Sequence, residues 1–208
     1  MNLIKKSSLK NVAIFIHDGV EVLDFSGPGE VFAATHTDLG AFNVYTVSLN
    51  TEPIISQGFI KIIPEYSISN APKPDIIVLP GGATGPLLNN TDLIDWVKKI
   101  TPDLEVALSV CTGAFILQKA GLLQGKKATT FHNAIDRLRE IAPETEVLEN
   151  VRWVDNGQVI TTAGVSAGID GALHTVERIF GREAAEETAR YMEYDKWNPE
   201  DGLVVEKY

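Results

Sequence analysis

The segment EVALSVCTGAFILQKAG, residues 105–121, contains the only cysteine of the chain, Cys111. The residues before the cysteine form an apolar run typical of a buried strand, and the residues after it have helical spacing. Small residues lie two positions before and two after the cysteine, at Ser109 and Gly113. A sharp strand-to-helix turn requires small residues there, as in the G-x-S-x-G elbow that displays a nucleophile. The segment therefore predicts a strand, an elbow at Cys111 and a helix over 112–123.

Cys111 has two interpretations on these grounds. Free cysteine is among the most buried residue types, so this one could be a structural residue that fills space in the core. Alternatively, the unpaired amides at the start of the following helix would favour the thiolate, and the pKa of the thiol would fall below its ordinary value. The spacing of small residues leaves both interpretations open.

Short β-like runs alternate with amphipathic runs along the rest of the chain. The continuous apolar run 12–16 and the segment DIIVLP (75–80) are typical of strands buried on both faces of a parallel sheet. Helical spacing recurs at 92–100 and 134–142, and AGIDGALHTVERIF and REAAEETARYMEY are predicted to be two closing helices. This alternation predicts a three-layer α/β fold on a mainly parallel sheet. In such sheets, ligands bind beyond the carboxyl ends of the strands.

Two local signals set boundaries within this pattern. A helix is predicted to follow the loop 17–28, with Ser26 as its N-cap and Pro28 in its first turn. The Asn156–Gly157 dipeptide predicts a hairpin within residues 151–164.

Composition and charge restrict the class of protein. A chain of 208 residues is expected to form one domain over 1–208, with a core at about 11–195 and a short tail at 196–208. The formal net charge of −10 argues against binding to nucleic acid or to an anionic membrane. No apolar run approaches the roughly 20 residues of a spanning helix, and the first ten residues lack signal-peptide features. A small-molecule partner and a cytoplasmic location are expected.

The spacing of the four histidines does not indicate a metal site. His17 adjoins a turn and is expected to be a solvated loop residue, while His36 and His174 are expected on helices, at the surface or between helices. His132 follows the run ATTF, where a structural role is favoured. None of them has metal-ligand spacing with another His, Cys or acidic residue. No metal is therefore predicted.

Five motifs occur in a fixed order along the chain: HDGVEVLDFSGPGEVF (17–32), IIVLPGGATG (76–85), SVCTGAFILQKAGLLQGKKATTFH (109–132), TTAGVSAGID (161–170) and MEYD (192–195). With these motifs the chain resembles the DJ-1/PfpI superfamily, which has the class I glutamine amidotransferase-like fold. Within that superfamily it is most similar to isonitrile hydratases. The resemblance implies a flavodoxin-like three-layer sandwich and a homodimer.

The resemblance also implies roles for individual residues. Cys111 corresponds to the nucleophile and Asp24 to its acidic partner. The backbone amides of Thr112 and of Gly82, in the Gly81–Gly82 turn, correspond to an oxyanion-type site. From the residues alone, Asp24 could instead cap the helix that follows it.

Three further residues belong to the implied site. Glu21 is a second carboxylate on the loop that carries Asp24, and it competes for the same role. Phe131 precedes His132 where hydratases carry histidine and then tryptophan, so the histidine is shifted by one position. Phe131 is expected to form a wall of the substrate pocket, with His132 as a second substrate-binding candidate.

The implied reaction is hydration of an isonitrile to an N-substituted formamide, with Cys111 as nucleophile and without a metal or redox cofactor. One alternative is a DJ-1-like glyoxalase acting on 2-oxoaldehydes. A third is a non-catalytic sensor of small molecules or oxidation, related to the ligand domain of AraC-type regulators.

Overall fold

The computed structural model describes residues 8–37 and 40–205 of the chain. The expectation about a signal peptide concerns the first ten residues, and residues 1–7 lie outside the described residues, as do 38–39 and 206–208. Within the described residues, no helix is long and apolar enough to cross a membrane.

Thirteen strands and six α-helices make up the regular structure of the described residues. The strands are β1 (Ser8–Phe15), β2 (His36–Thr37), β3 (Gly40–Ser48), β4 (Ile54–Ser56), β5 (Ile60–Ile62), β6 (Tyr66–Ser67), β7 (Ile76–Leu79), β8 (Val106–Ser109), β9 (Lys127–Ala128), β10 (Glu146–Val147), β11 (Trp153–Asp155), β12 (Val159–Thr162) and β13 (Leu203–Val204). The helices are α1 (Val22–Ala34), α2 (Thr91–Ile100), α3 (Ala114–Lys119), α4 (Ile135–Ile141), α5 (Ala167–Phe180) and α6 (Arg182–Tyr191).

The main sheet has the strand order β13-β11-β12-β8-β7-β1-β3-β2, with β6 paired to β3. The five strands from β12 to β3 in this order pair in parallel. Strands β7 and β8 are buried throughout, as the continuous apolar runs predicted. Strands β11 and β12 form the predicted antiparallel hairpin around Asn156–Gly157. Leu203–Val204, in the predicted tail, adds an edge strand parallel to β11.

Two apolar clusters cover the faces of this sheet. One cluster joins residues of α1, α5 and α6 to the sheet, and it includes Cys111. The other joins residues of α2, α3 and α4 to the opposite face. The predicted three-layer α/β sandwich on a mainly parallel sheet is therefore confirmed.

Helix α1 begins earlier than the sequence predicted. It starts at Val22, and Ser26 is not its N-cap, because the Ser26 hydroxyl donates to the carbonyl of Val22 within the helix (2.7 Å). Pro28 lies in the helix interior rather than in its first turn. Proline has no N–H, so the carbonyl of Asp24, four residues earlier, lacks the donor of an uninterrupted helix. The earlier start places Asp24 in the first turn of α1.

The helix predicted over 112–123 is also shorter than expected. A 3₁₀ turn at Cys111–Gly113 precedes α3, which contains only six residues. Cys111 has a φ of 56°, in the left-handed region that costs a non-glycine residue roughly 1–2 kcal/mol. The predicted elbow at Cys111 is therefore confirmed. The turn that forms it takes the place of the first predicted helical residues, so α3 begins at Ala114.

Gly113 permits the close approach on which the elbow depends. A Cβ at this position would overlap the carbonyl oxygen of Leu79, the last residue of β7. We expect Gly113→Ala to lower the free energy of unfolding by about 3 kcal/mol, because a backbone atom cannot yield to the added methyl group. Urea denaturation measures this change.

Gly85→Ala is the matched control, because a Cβ at Gly85 meets nothing within 4 Å. If the two variants unfold at the same urea concentration, the proposed packing of the elbow is wrong.

Candidate active site

Three chain segments meet where β7 and β8 end. The elbow after β8 carries Cys111, the turn after β7 carries Gly81–Gly82, and the first turn of α1 carries Asp24. A β-bridge between Val20 and Gly82 ties the loop before α1 to the turn after β7. The sheet therefore brings together residues that lie far apart in sequence, at the carboxyl edge where the fold predicted a site.

Asp24 is fully buried and interacts with the glycine turn. Its Oδ2 accepts a hydrogen bond from the amide of Gly81 at 2.8 Å, so the carboxylate does not cap its own helix. Its Oδ1 has no hydrogen-bond partner of good geometry among the described residues. Burial raises the pKa of Asp24 to about 7, and this effect exceeds the opposing effects of the Gly81 amide, the Val165 backbone and the thiol of Cys111. A carboxyl group of this kind can both accept and donate a proton near neutral pH.

Cys111 is buried, and its backbone is held at two points. Its amide donates to the carbonyl of Ala163 at 3.1 Å, and its carbonyl accepts from the hydroxyl of Thr130 at 2.6 Å. Burial and the adjacent Asp24 raise the pKa of the Cys111 thiol to about 12. The expectation of a lowered thiol pKa is therefore wrong, because burial and a neighbouring carboxylate outweigh the amides at the start of the short helix.

Thr112 supplies hydrogen bonds that oppose this rise in the pKa of Cys111. Its backbone amide and its hydroxyl both lower the pKa of Cys111. The hydroxyl also accepts the Gly82 amide at 3.2 Å. The Gly82 amide, predicted to serve an oxyanion, is thus directed at the Thr112 hydroxyl in this structure. The oxyanion role of these two residues stays a prediction.

Glu21 lies at the edge of the same site. It precedes α1, and its amide donates to the carbonyl of Gly81 at 3.2 Å. Its carboxylate raises the pKa values of both Asp24 and Cys111. Glu21 is partly exposed, whereas Asp24 is buried and bound to the glycine turn. Of the two carboxylates, Asp24 has the larger effect on the pKa of the Cys111 thiol.

Phe131 and His132 lie on the other side of the elbow. They line a cavity of about 570 Å³. Thr130, whose hydroxyl binds the Cys111 carbonyl, lines the same cavity, as does Gly164, against which the Phe131 ring packs. Cys111 is not among the residues that line this cavity. The structure thus brings Cys111, Asp24, Glu21, Gly81, Gly82 and Thr112 together and places Phe131 and His132 beside them. A cavity of about 650 Å³ between α3 and α4 contains none of the predicted site residues.

Val165 is a site residue that the sequence did not reveal. It has a φ of 55°, and this conformation is a genuine outlier for a β-branched residue. Its backbone lies beside Asp24 and lowers the pKa of that carboxyl. The motif TTAGVSAGID contains this residue, but nothing in a valine signals a strained backbone.

Three histidines differ in part from the sequence expectation. His17 is buried rather than solvated, and burial lowers its pKa. His174 is buried on α5, where its Nε2 lies 2.8 Å from Asp155 and its ring stacks on Trp153. His36 is exposed, as expected, but lies in β2 rather than on a helix. Within 8–37 and 40–205, no group of three or more His, Cys, Asp or Glu could hold a metal ion.

Titration of Cys111 tests the electrostatics of the site. We expect alkylation by iodoacetamide to have a pH midpoint above the free-thiol value of about 8.5. In Asp24→Asn the midpoint should move to lower pH, because Asp24 is ionised above its pKa of about 7 and repels the thiolate. The rate of alkylation as a function of pH measures both midpoints.

Glu21→Gln is the matched control for charge. It should produce a smaller shift than Asp24→Asn, because Glu21 contributes less to the pKa of Cys111. An unchanged or raised midpoint in Asp24→Asn would contradict this assignment.

Comparison with known proteins identifies the family of this chain. The model of the DJ-1/PfpI family matches residues 10–178. An isonitrile hydratase of Pseudomonas putida is 31% identical over 194 residues, which cover 91% of this chain and 81% of that protein. CdhR, an HTH-type transcriptional regulator of Pseudomonas aeruginosa, is 27% identical over 150 residues, which cover 72% of this chain and 44% of the regulator.

Among solved structures, a THiJ/PfpI family protein from Pseudomonas syringae superposes with a TM-score of 0.82 at 28% identity. The match covers 96% of this chain and 81% of that chain. With the family match over residues 10–178, these likenesses show that the chain belongs to the DJ-1/PfpI family.

Proposed function

We propose that this protein is a cysteine-dependent enzyme that hydrates an isonitrile, R–N≡C, to an N-substituted formamide. The observation that carries the proposal is the pair formed by Cys111 on a strained elbow and Asp24, a buried carboxyl with a pKa of about 7. The 31% identity to an isonitrile hydratase of Pseudomonas putida supports the choice of reaction. A small-molecule substrate, a homodimeric assembly and a cytoplasmic location belong to the same proposal and rest on the family resemblance and the sequence.

In the first step the thiol of Cys111 adds to the terminal carbon of the isonitrile. Asp24, as the carboxylate, accepts the thiol proton while sulfur bonds to that carbon. Asp24 then returns the proton to the same carbon, and the product is the thioimidate R–N=CH–S–Cys111. A pKa of about 7 suits both transfers, because the carboxyl group accepts and donates a proton with similar ease near neutral pH. Oδ1, which has no partner of good geometry, is the oxygen free to carry the proton.

In the second step water adds to the thioimidate carbon. Asp24 takes a proton from the attacking water and delivers it to the nitrogen, which gives R–NH–CH(OH)–S–Cys111 and restores the carboxylate. The carbon–sulfur bond then breaks, the hydroxyl proton passes to the sulfur by way of Asp24, and R–NH–CHO leaves. The net change is addition of one water, and the thiol and the carboxylate are regenerated.

Thr112 stabilises negative charge on sulfur in this scheme. Its amide and hydroxyl lower the pKa of Cys111, and the Gly82 amide supports the hydroxyl at 3.2 Å. These donors are positioned before reaction, so they stabilise the developing thiolate without reorganising. The resting thiol with its raised pKa therefore becomes a nucleophile when Asp24 removes its proton.

A ligand sensor is the second candidate, and one comparison favours it. The matched part of CdhR covers 44% of that regulator, so a domain like this one occurs there within a transcriptional regulator. In a sensor, the site around Cys111 would bind its ligand without turnover. The two functions differ in whether product forms.

Turnover by the purified protein tests the proposal. We expect the protein to convert an alkyl or aryl isonitrile to the formamide. NMR spectra of the reaction mixture measure the appearance of the formamide. Cys111→Ala should abolish turnover, and Asp24→Asn should lower kcat by a factor on the order of 10² or more, because proton transfer is lost.

Glu21→Gln serves as the matched control and should retain most of the activity, because its carboxylate has no role in the proposed proton transfers. Methylglyoxal in the same assay tests the glyoxalase alternative. Turnover of methylglyoxal but not of the isonitrile would overturn the hydratase proposal, and binding of an isonitrile without product would favour the sensor.

A further inference from the structure

The cavity of about 650 Å³ between α3 and α4 has no part in the proposed mechanism. The 3₁₀ turn Gly85–Asn89, α3 and α4 supply its walls. None of the residues of the candidate active site lines it. It nevertheless lies close to that site in sequence, because α3 follows the elbow at Cys111 and the 3₁₀ turn follows the Gly81–Gly82 turn.

Three of the lining side chains are apolar. Leu88, Phe115 and Ile141 are partly buried, and they pack against the core cluster on this face of the sheet. A ligand that covers their remaining surface would gain roughly 25 cal/mol for each Å² of apolar area removed from water. Phe115 also offers an aromatic ring against which a second ring can pack. The cavity therefore suits a ligand with an apolar body.

The charged residues that line the cavity are both cations. Lys119, at the end of α3, forms no ion pair with the described residues. Arg137 of α4 donates to Glu140 at 2.6 Å, and its other N–H groups donate to none of the described residues. That ion pair is exposed, so it contributes at most about 1 kcal/mol and a ligand can compete for the guanidinium. No carboxylate lines this cavity although the chain has a formal net charge of −10.

Thr84 contributes a hydroxyl that the chain leaves unused. The residue is 4% exposed and lines the cavity. Its amide donates to the carbonyl of Gly82 at 2.8 Å, but its hydroxyl has no hydrogen-bond partner among the described residues. Polar groups of buried residues are nearly always hydrogen-bonded, so an unpaired hydroxyl at a cavity wall indicates a polar partner from outside the chain.

We propose that this cavity binds a small organic anion with an apolar body, at a site separate from Cys111. Lys119 and Arg137 bind the anionic group, since charge-assisted hydrogen bonds are the strong ones. The Thr84 hydroxyl donates to a polar atom of the ligand, and the three apolar side chains contact its body. The inference does not depend on the proposed function, because no step of the hydration uses this cavity.

Amide NMR of the ¹⁵N-labelled full chain tests the site, with 2-naphthoate as the probe. The amides of Gly85, Phe115 and Lys119 should shift and saturate as the probe is added. The uncharged 2-naphthamide should bind more weakly by about tenfold, the loss expected for one charge-assisted hydrogen bond. Absence of saturable shifts at these amides, or equal affinity for the two probes, overturns the proposal.

Removal of single charges tests which cations bind the probe. Lys119→Gln and Arg137→Gln should each raise the Kd for 2-naphthoate by about fivefold. Lys99→Gln is the matched control, because Lys99 is exposed on α2 and does not line the cavity. If Lys99→Gln raises Kd as much as Lys119→Gln does, the probe responds only to the overall charge of the protein and the proposed site is wrong.

Thr84→Val tests the hydroxyl at nearly constant shape. It should raise the Kd for 2-naphthoate by about fivefold, the size expected for the loss of one hydrogen bond. Because the hydroxyl has no partner within the described chain, the variant should unfold at no lower urea concentration than the wild type. An unchanged Kd would refute the proposed hydrogen bond from Thr84.

Cys111→Ala distinguishes this site from the candidate active site. It should bind 2-naphthoate with unchanged Kd, because Cys111 does not line the cavity. Loss of binding in Cys111→Ala would place the probe beside Cys111 and overturn the proposal. If Arg137→Gln instead changes the sedimentation of the protein and the probe shifts no amide, the cavity is an interface between copies and the proposal fails. Binding of 2-naphthoate by a protein that does not turn over an isonitrile would remove only the proposed function.

Discussion

The burial of Asp24 beside Cys111 is the constraint on which the site depends. Two acidic groups share a space from which water is largely excluded, so ionisation of either group raises the free energy of ionising the other. The Gly81 amide and the donors of Thr112 offset part of this penalty. The pair therefore holds a proton that can move between sulfur, carboxyl and substrate, and this is what an addition of water to an electrophilic carbon requires. The hydrogen bonds of the Cys111 backbone to Ala163 and Thr130 and the Val20–Gly82 bridge keep the groups together.

The buried Asp24 carboxyl lowers the stability of the folded protein at neutral pH. The pKa of Asp24 is about 7 in the folded protein and lies near 3.8 when the chain is unfolded. The folded state thus binds more protons between these values, and its stability falls as the pH rises through this window. The penalty reaches about 4 kcal/mol above pH 7. A buried carboxylate with this effect on stability is typical of a functional site rather than of a structural one.

The sequence predicted the scaffold better than the electrostatics of the site. The small residues Ser109 and Gly113 predicted the elbow because a sharp turn permits few alternatives, and the Asn156–Gly157 dipeptide predicted its hairpin for the same reason. The start of α1 was missed because Pro28 is typical of a first turn, and the helix begins at Val22 without a side-chain cap that the sequence could signal. The direction of the Cys111 pKa was wrong because spacing indicates the helix start but not the burial or the carboxylate beside the thiol. The strain at Val165 and the burial of His17 depend on contacts between distant segments, and no local pattern encodes them.

The protonation state of Asp24 tests the central claim most directly. The ¹³C chemical shift of the Asp24 carboxyl carbon, assigned by comparison with Asp24→Asn, reports its titration in the intact protein. The account predicts a midpoint near pH 7, far above that of an exposed aspartate. It also predicts that the midpoint rises in Cys111→Ala, because the thiol hydrogen bond that lowers the pKa is removed. A midpoint near 4 would contradict the account, because so weak a base could not readily remove the proton of a thiol whose pKa is about 12.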